Sequence, residues 1–127
     1  MNDVLKKILF VEDEPDIQHV ARLALEIVGG FTVKACTSGR EALQLATEFM
    51  PDLILLDVMM PEMDGPTTLE RLRKLPGLYS TPAVFMTAKT RAHDIEQLKR
   101  TGALEIVPKP FDPMTLSRTV LEIWQRR

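Results

Sequence analysis

Residues 51–65 read Pro51-Asp52-Leu53-Ile54-Leu55-Leu56-Asp57-Val58-Met59-Met60-Pro61-Glu62-Met63-Asp64-Gly65, and they decide the fold. Leu53 to Leu56 are four aliphatic residues with no polar alternation, the pattern of a strand covered on both faces. Ile8-Leu9-Phe10-Val11 and Ala83-Val84-Phe85-Met86 have the same character. Phe31 to Cys36 and the short Ile106-Val107 stretch are weaker strand candidates.

Segments with helical spacing separate these runs. Ile17, Val20, Ala21, Ala24, Leu25 and Val28 mark one stripe on a first helix, which Gly29-Gly30 ends. Ser38 followed by Glu41 has the spacing of a capping box, so a second helix starts at Thr37 or Ser38 and stops before Pro51. A third follows Gly65 and fades near Leu75-Pro76-Gly77. The fourth spans residues 90–100, with only Ile95 and Leu98 as strong apolar anchors, and is the least firmly tied to a core. The last begins near Asp112-Pro113, an N-cap with proline at the first helical position, and buries Leu116, Val120, Ile123 and Trp124. Arg126-Arg127 suit the dipole at its end. Five strand-helix alternations predict an α/β parallel sheet with helices on both faces.

Composition agrees. The 127 residues, 45% hydrophobic and 27% charged, give room for one domain with a real core and exclude a mostly disordered chain. Sixteen Lys and Arg against eighteen Asp and Glu leave a net charge of −2, with no electrostatic footprint for direct nucleic-acid binding. A single cysteine, Cys36, cannot form an internal disulfide and fits a reducing, cytoplasmic setting. Met1-Asn2-Asp3-Val4-Leu5-Lys6-Lys7 lacks the order of a signal peptide, and no apolar run reaches the ~20 residues of a membrane span.

In open parallel sheets the ligand crevice lies beyond the carboxyl ends of the strands. The chemistry of this chain gathers there: Glu12-Asp13-Glu14 after Val11, Asp57 after Leu56, Thr87 after Met86, and Lys109 after Val107-Pro108. Clustered carboxylates repel unless a cation sits among them. Oxygen ligands with space for waters suit Mg²⁺. A carboxylate beside Mg²⁺ can act as a nucleophile toward phosphorus, with Thr87 and Lys109 supplying a donor and a positive charge. Each piece alone has a plainer reading. Glu12 to Glu14 before Pro15 suit a helix start, Asp57 and Asp64-Gly65 suit turns, Thr87 suits a helix cap, and Lys109 suits a solvated surface. Cys36 reads as a small buried hydrophobe, His19 and His93 as isolated histidines, and Met59, Met60 and Met63 as loop packing. Four strand ends carrying complementary chemistry outweigh caps and turns.

With Ile8 to Glu14, Pro51 to Gly65, Phe85-Met86-Thr87-Ala88 and Lys109-Pro110-Phe111, the chain resembles the receiver domain of two-component response regulators over nearly its whole length, as a single domain at 1–127. The resemblance implies a flavodoxin-like doubly wound sheet of five strands, order 2-1-3-4-5, with five helices in three layers. Asp57 is then the phosphoacceptor, charged from the phosphohistidine of a sensor histidine kinase or histidine phosphotransfer protein. Asp13 and Asp57 hold Mg²⁺ directly, Glu12 through water, and the Met59 backbone carbonyl completes the protein ligands. Thr87, followed by Ala88, bonds the phosphoryl group, and Lys109 pairs with it before a cis Pro110. Such a domain is a signalling switch rather than an enzyme on other substrates. It reports to a downstream protein through its fourth helix, fifth strand and fifth helix.

The family usually carries Tyr or Phe where this chain has Ile106, and that ring turns inward with the threonine. Isoleucine is stiff and has no polar tip, so a muted or rerouted conformational change is expected. Met59 and Lys89 stand at the two positions that tune phosphoryl lifetime in the family, and they imply slow autodephosphorylation. Three other readings compete. A pseudo-receiver that docks partners without phosphorylation finds support only in Ile106. An aspartyl phosphatase needs a second acid where Met59 stands, and a flavin carrier needs a hydroxyl-rich loop after the first strand.

Overall fold

The computed structural model describes residues 4–127, so the Met1-Asn2-Asp3 start read above lies outside the described residues. Five strands form one parallel sheet: β1 (Lys7–Val11), β2 (Thr32–Cys36), β3 (Leu53–Asp57), β4 (Ala83–Thr87) and β5 (Glu105–Pro108). Their order is β2-β1-β3-β4-β5, the order that the resemblance implies. The helices are α1 (Pro15–Leu23), α2 (Gly39–Phe49), α3 (Gly65–Leu72), α4 (Ala92–Arg100) and α5 (Leu116–Gln125).

Successive residues of a strand point to opposite faces, so a continuous apolar run feeds two cores. Ile8, Phe10, Leu53, Leu55, Val84, Met86 and Val107 pack with Ala21, Leu25, Leu116, Val120, Ile123 and Trp124, beneath α1 and α5. Leu9, Val11, Ile54, Leu56, Phe85 and Ile106 pack with Ala42, Ala46, Leu69 and Leu72, beneath α2 and α3. Val11 lies opposite Leu56, and Asp57 lies opposite Met86. The acids that follow β1 and end β3 therefore emerge side by side, at the reversal of strand order where crevices form.

Three helices differ in detail from the sequence reading. The first continues past Leu23 as one π-helical turn, Ala24–Val28, with the Gly29 N–H donating to the Ala24 carbonyl at 3.2 Å. Ala21, Ala24 and Leu25 face the core, whereas Val20 and Val28 of the expected stripe are about half exposed. The small residues let the helix lie close to the sheet, and the wider turn carries Val28 outward. Residues 113–115 form a turn rather than the start of α5. The Asp112 carbonyl accepts from the N–H groups of Thr115 and Leu116, at 3.1 and 3.0 Å, and the carboxylate accepts from Met114 N–H at 2.9 Å. Asp112 thus caps that turn, and the regular helix follows it. The fourth helix begins at Ala92, not Thr90, and has no fully buried residue. Ile95 and Leu98 are only partly buried against the cluster that contains Ile106.

The second helix is capped as its spacing indicates. Ser38 Oγ accepts from Glu41 N–H at 3.1 Å, and Glu41 Oε1 accepts from Thr37 N–H at 2.8 Å. Asp64 is the N-cap of α3, its Oδ1 accepting from Thr67 N–H at 2.8 Å. No helix among the described residues is long and apolar enough to cross a membrane.

Candidate functional site

The carboxyl edge of the sheet brings Glu12, Asp13, Asp57, Thr87 and Lys109 together. Glu12 follows β1 and is almost fully buried, its N–H donating to the Cys36 carbonyl at 3.0 Å. Asp57 ends β3 and is 5% exposed, and Thr87 ends β4 at 3%. Lys109 follows β5, anchored by its N–H on the Thr87 carbonyl at 2.9 Å. Its ammonium reaches back across the crevice to Glu12 Oε1 at 2.8 Å and Asp57 Oδ1 at 3.0 Å. The Lys109-Pro110 peptide bond is cis.

Glu12, Asp13 and Asp57 each offer a carboxylate oxygen, and the three oxygens lie within 4.8 Å of one another. Among the described residues only Lys109 pairs with these three acids, and its single charge leaves two negative charges without an offset. Buried Glu12 Oε1 has no hydrogen bond of good geometry, although the Lys109 ammonium lies beside it. Crowded carboxylate oxygens and two uncompensated charges fit a hard divalent cation such as Mg²⁺.

Burial pushes the Glu12 carboxyl above its ordinary pKa, and the Asp57 charge adds to this; the adjacent Lys109 ammonium and the Glu14 N–H only partly counter it. For Lys109, burial works against the charged form, but its close contacts with the Glu12 and Asp57 carboxylates prevail and raise the pKa. The consequences for stability have opposite signs. A raised carboxyl pKa means that the native state binds more protons just above the ordinary value of 4.5, so the Glu12 contribution falls as pH rises there. The Lys109 contribution is complete below 10.5 and is lost as pH climbs through the raised value. In chelator, Glu12→Gln is expected to gain stability relative to wild type as pH is raised from about 4.5 to 7. Paired denaturant titrations across that range check this, and a relative loss with pH would show that Lys109 attraction outweighs burial.

Thr87 is not the helix cap; Arg91 occupies that position with no side-chain cap bond. Thr87 Oγ1 accepts from Lys89 N–H at 3.0 Å, so its own hydroxyl proton is directed elsewhere. A cavity of about 270 Å³ lies between Thr87 and α4, lined by Val58, Pro66, Lys89, Leu98 and Thr101 among others. Ile106 is 8% exposed and already turned into the core beneath α4. Ala88 and Pro110 sit at the surface. So does Met59, at 64% exposure, and of the three loop methionines only Met60 is buried. His19 and His93 are exposed and far apart in the chain.

Gln18 escaped the sequence reading. Its amide donates to the Glu12 and Cys36 carbonyls, both at 3.0 Å, tying the end of β1 to the end of β2. A polar residue beside Ile17 and Ala21, one turn into α1, was the available signal. Cys36 is buried, and burial pushes its thiol up to about 12. A thiol reagent at neutral pH should leave Cys36 unmodified until the protein unfolds, and rapid native-state labelling would contradict that burial.

Residues 8–121 match the family model of the response regulator receiver domain. The chain is 39% identical to an uncharacterized 14.6 kDa protein of Leptolyngbya boryana, over 89% of this chain and 86% of that one. It is 38% identical to the probable C4-dicarboxylate response regulator DctR of Priestia megaterium, over 87% of this chain and 48% of that protein. Against the response regulator Rre1 of Synechocystis identity is 34%, over 94% of this chain and 52% of that protein. The chain thus spans about half the length of these two regulators. Among solved structures, Vibrio cholerae chemotaxis protein CheY4 superposes with a TM-score of 0.86 at 31% identity, covering 94% of this chain and 99% of that one.

Proposed function

The chain belongs to the response regulator receiver domain family, and from that premise we propose that it accepts a phosphoryl group on Asp57 and passes the signal to a partner protein by docking. The observation that carries this reading is the Lys109 ammonium held between Glu12 and Asp57 at a three-carboxylate edge.

In the proposed reaction an Asp57 carboxylate oxygen attacks phosphorus of a phosphohistidine on a sensor kinase or phosphotransfer protein. The phosphorus–oxygen bond forms as the phosphorus–nitrogen bond breaks, and the imidazole leaves with the bonding pair. Lys109 fixes Asp57 Oδ1 and offsets charge on the incoming group. Asp13 and Asp57 would hold Mg²⁺, with Glu12 through water and the Met59 carbonyl beside them. When bound, the ion supplies charge neutralisation at the phosphoryl oxygens. Thr87, with its oxygen engaged by Lys89 N–H, has its hydroxyl proton to offer the new phosphoryl group.

Phosphorylation adds roughly −1.5 to −2 charges at this edge. Movement of Thr87 toward them draws on the loop that leads to α4, and the adjacent cavity gives that loop room. Because Ile106 already lies inward and carries no ring, the change passes through the Thr87 loop and α4 rather than through a side-chain swing. The same observation gives a pseudo-receiver its one support, since a switch without its ring loses a usual part. Receiver domains typically signal rather than catalyse reactions of other substrates, and α4, β5 and α5 form the proposed output face.

Incubation with Mg²⁺ and a small acyl-phosphate donor, followed by intact mass, tests the proposal. One phosphoryl group should add to the wild-type chain, and none in chelator or in Asp57→Asn. An adduct that survives Asp57→Asn would overturn it, and a wild-type chain that never gains one would favour the pseudo-receiver.

A further inference from the structure

The fourth helix has no fully buried residue and sets only Ile95 and Leu98 partly against the core, so contacts at its ends add to its attachment. Its N-terminus has no side-chain cap, and among the described residues Arg91 there pairs within the first turn, with Asp94 at 3.2 Å. Its C-terminus is held from outside. Lys99 meets Glu105 of β5 at 3.1 Å, and the turn after the helix is engaged by Arg73, the residue that closes α3.

Arg73 is half-buried, and no carboxylate of the described residues forms an ion pair with it. Its guanidinium is satisfied by backbone carbonyls instead. Nη1 donates to Thr81 at 2.5 Å and to Tyr79 at 3.3 Å, both in the loop that enters β4. Nη2 donates to Gly102 at 3.3 Å, in the turn between α4 and β5. Gly102 has φ +101, and its N–H returns to the Lys99 carbonyl at 3.0 Å. The carbonyl end of a helix carries the negative pole of its dipole, where a cation is stabilising. A planar fork can bridge two loops that a point charge cannot.

We infer that Arg73 is a positioning residue: supplied from the end of α3, it clamps the C-terminal end of α4 to the loop before β4 and makes that end the helix's fixed pivot. The N-terminal end, next to the Thr87 cavity, is then the end free to move. This follows from the geometry of the clamp and does not depend on Asp57 being phosphorylated.

Amide hydrogen exchange on the unphosphorylated, full-length chain tests it. Loss of charge-assisted bonds in Arg73→Met should speed exchange about tenfold or more at both Thr81 and the Thr101–Gly102 turn. Amides of β1 and β3 should keep wild-type rates. Arg73→Lys, with one ammonium, should restore one of the two segments and not both. Three results would each overturn the clamp: no acceleration at either segment, acceleration spread equally through β1 and β3, or full rescue of both loops by lysine. The exchange pattern is read without any phosphoryl donor, so its failure is separate from a failure of the phosphoacceptor reading.

Discussion

Replacing Lys109 with methionine should lower the stability of the metal-free protein by about 3 kcal/mol at neutral pH, the range for breaking a buried pair. The physical reason is the pair of acids it leaves behind. Glu12 is 1% exposed and Asp57 5%, and the ammonium lies within 3.0 Å of both. Without it, two buried carboxylates face each other with no paired cation among the described residues. Methionine keeps most of the aliphatic stem, so the loss reports charge rather than packing. Adding Glu12→Gln to the variant should restore a large part of the loss, because one of the repelling charges is gone. Mg²⁺ should stabilise Lys109→Met more than wild type, since it replaces the missing charge. Denaturant titrations in chelator measure the first effect, and the double mutant measures the second. A loss below about 1 kcal/mol would place the triad among surface pairs.

The second large effect concerns Gly65, the first residue of α3. A Cβ built there would lie 2.4 Å from the Asp57 carbonyl oxygen, 2.9 Å from Val58 Cα and 3.1 Å from Phe85 Cε1. Two of these neighbours are backbone, and they belong to the strand end that carries the site. The Gly65 N–H also donates to the Val58 carbonyl at 2.8 Å, which holds the helix start against that strand. No flexible side chain can yield to make room. Gly65→Ala should therefore cost about 2–3 kcal/mol through overpacking. It should also reduce phosphoryl uptake, because the strain falls on Asp57 itself. Gly30→Ala is the contrasting control for space, since nothing lies within 4 Å of its Cβ position, although its φ of +73 adds a backbone cost. An unchanged melting temperature in Gly65→Ala would show that the loop after β3 is softer than this packing requires.

Much of the fold was legible because the sheet is buried on both faces. Leu53 to Leu56 and Ala83 to Met86 carry no alternation, and the structure divides each run between two cores. The helix starts at Ser38 and Asp64 were legible to different degrees. Ser38 announced itself by Glu41 three residues on, whereas Asp64 read as a turn former and proved to be a cap. Asp112 shows the reverse. Its composition suits an N-cap, but its bonds close a turn, and the helix begins three residues after Pro113. That choice depends on hydrogen bonds between near neighbours, which a residue list does not rank. The π-helical turn at Ala24–Val28 left no local mark at all. The Ala24 carbonyl that accepts from Gly29 N–H in that turn also accepts from the hydroxyl of distant Ser117 at 2.9 Å, a contact that nearby residues do not announce.

The acids and the lysine were legible as a group because strand ends in a parallel sheet share one edge. Their pairing was not, since the Lys109 reach to both Glu12 and Asp57 depends on side-chain geometry across 52 residues for the latter. Gln18 and Arg73 were missed for a related reason. Both act on backbone carbonyls, and carbonyls carry no sequence identity to match against.

Chemical trapping reads out whether Asp57 receives phosphorus. Treating the phosphorylated chain with borohydride reduces an acyl phosphate to an alcohol, so peptide mapping afterwards reads which carboxylate carried it. Homoserine is expected at position 57, dependent on Mg²⁺ and on the phosphoryl donor. Conversion at Asp13 or Glu12 with position 57 intact would contradict it.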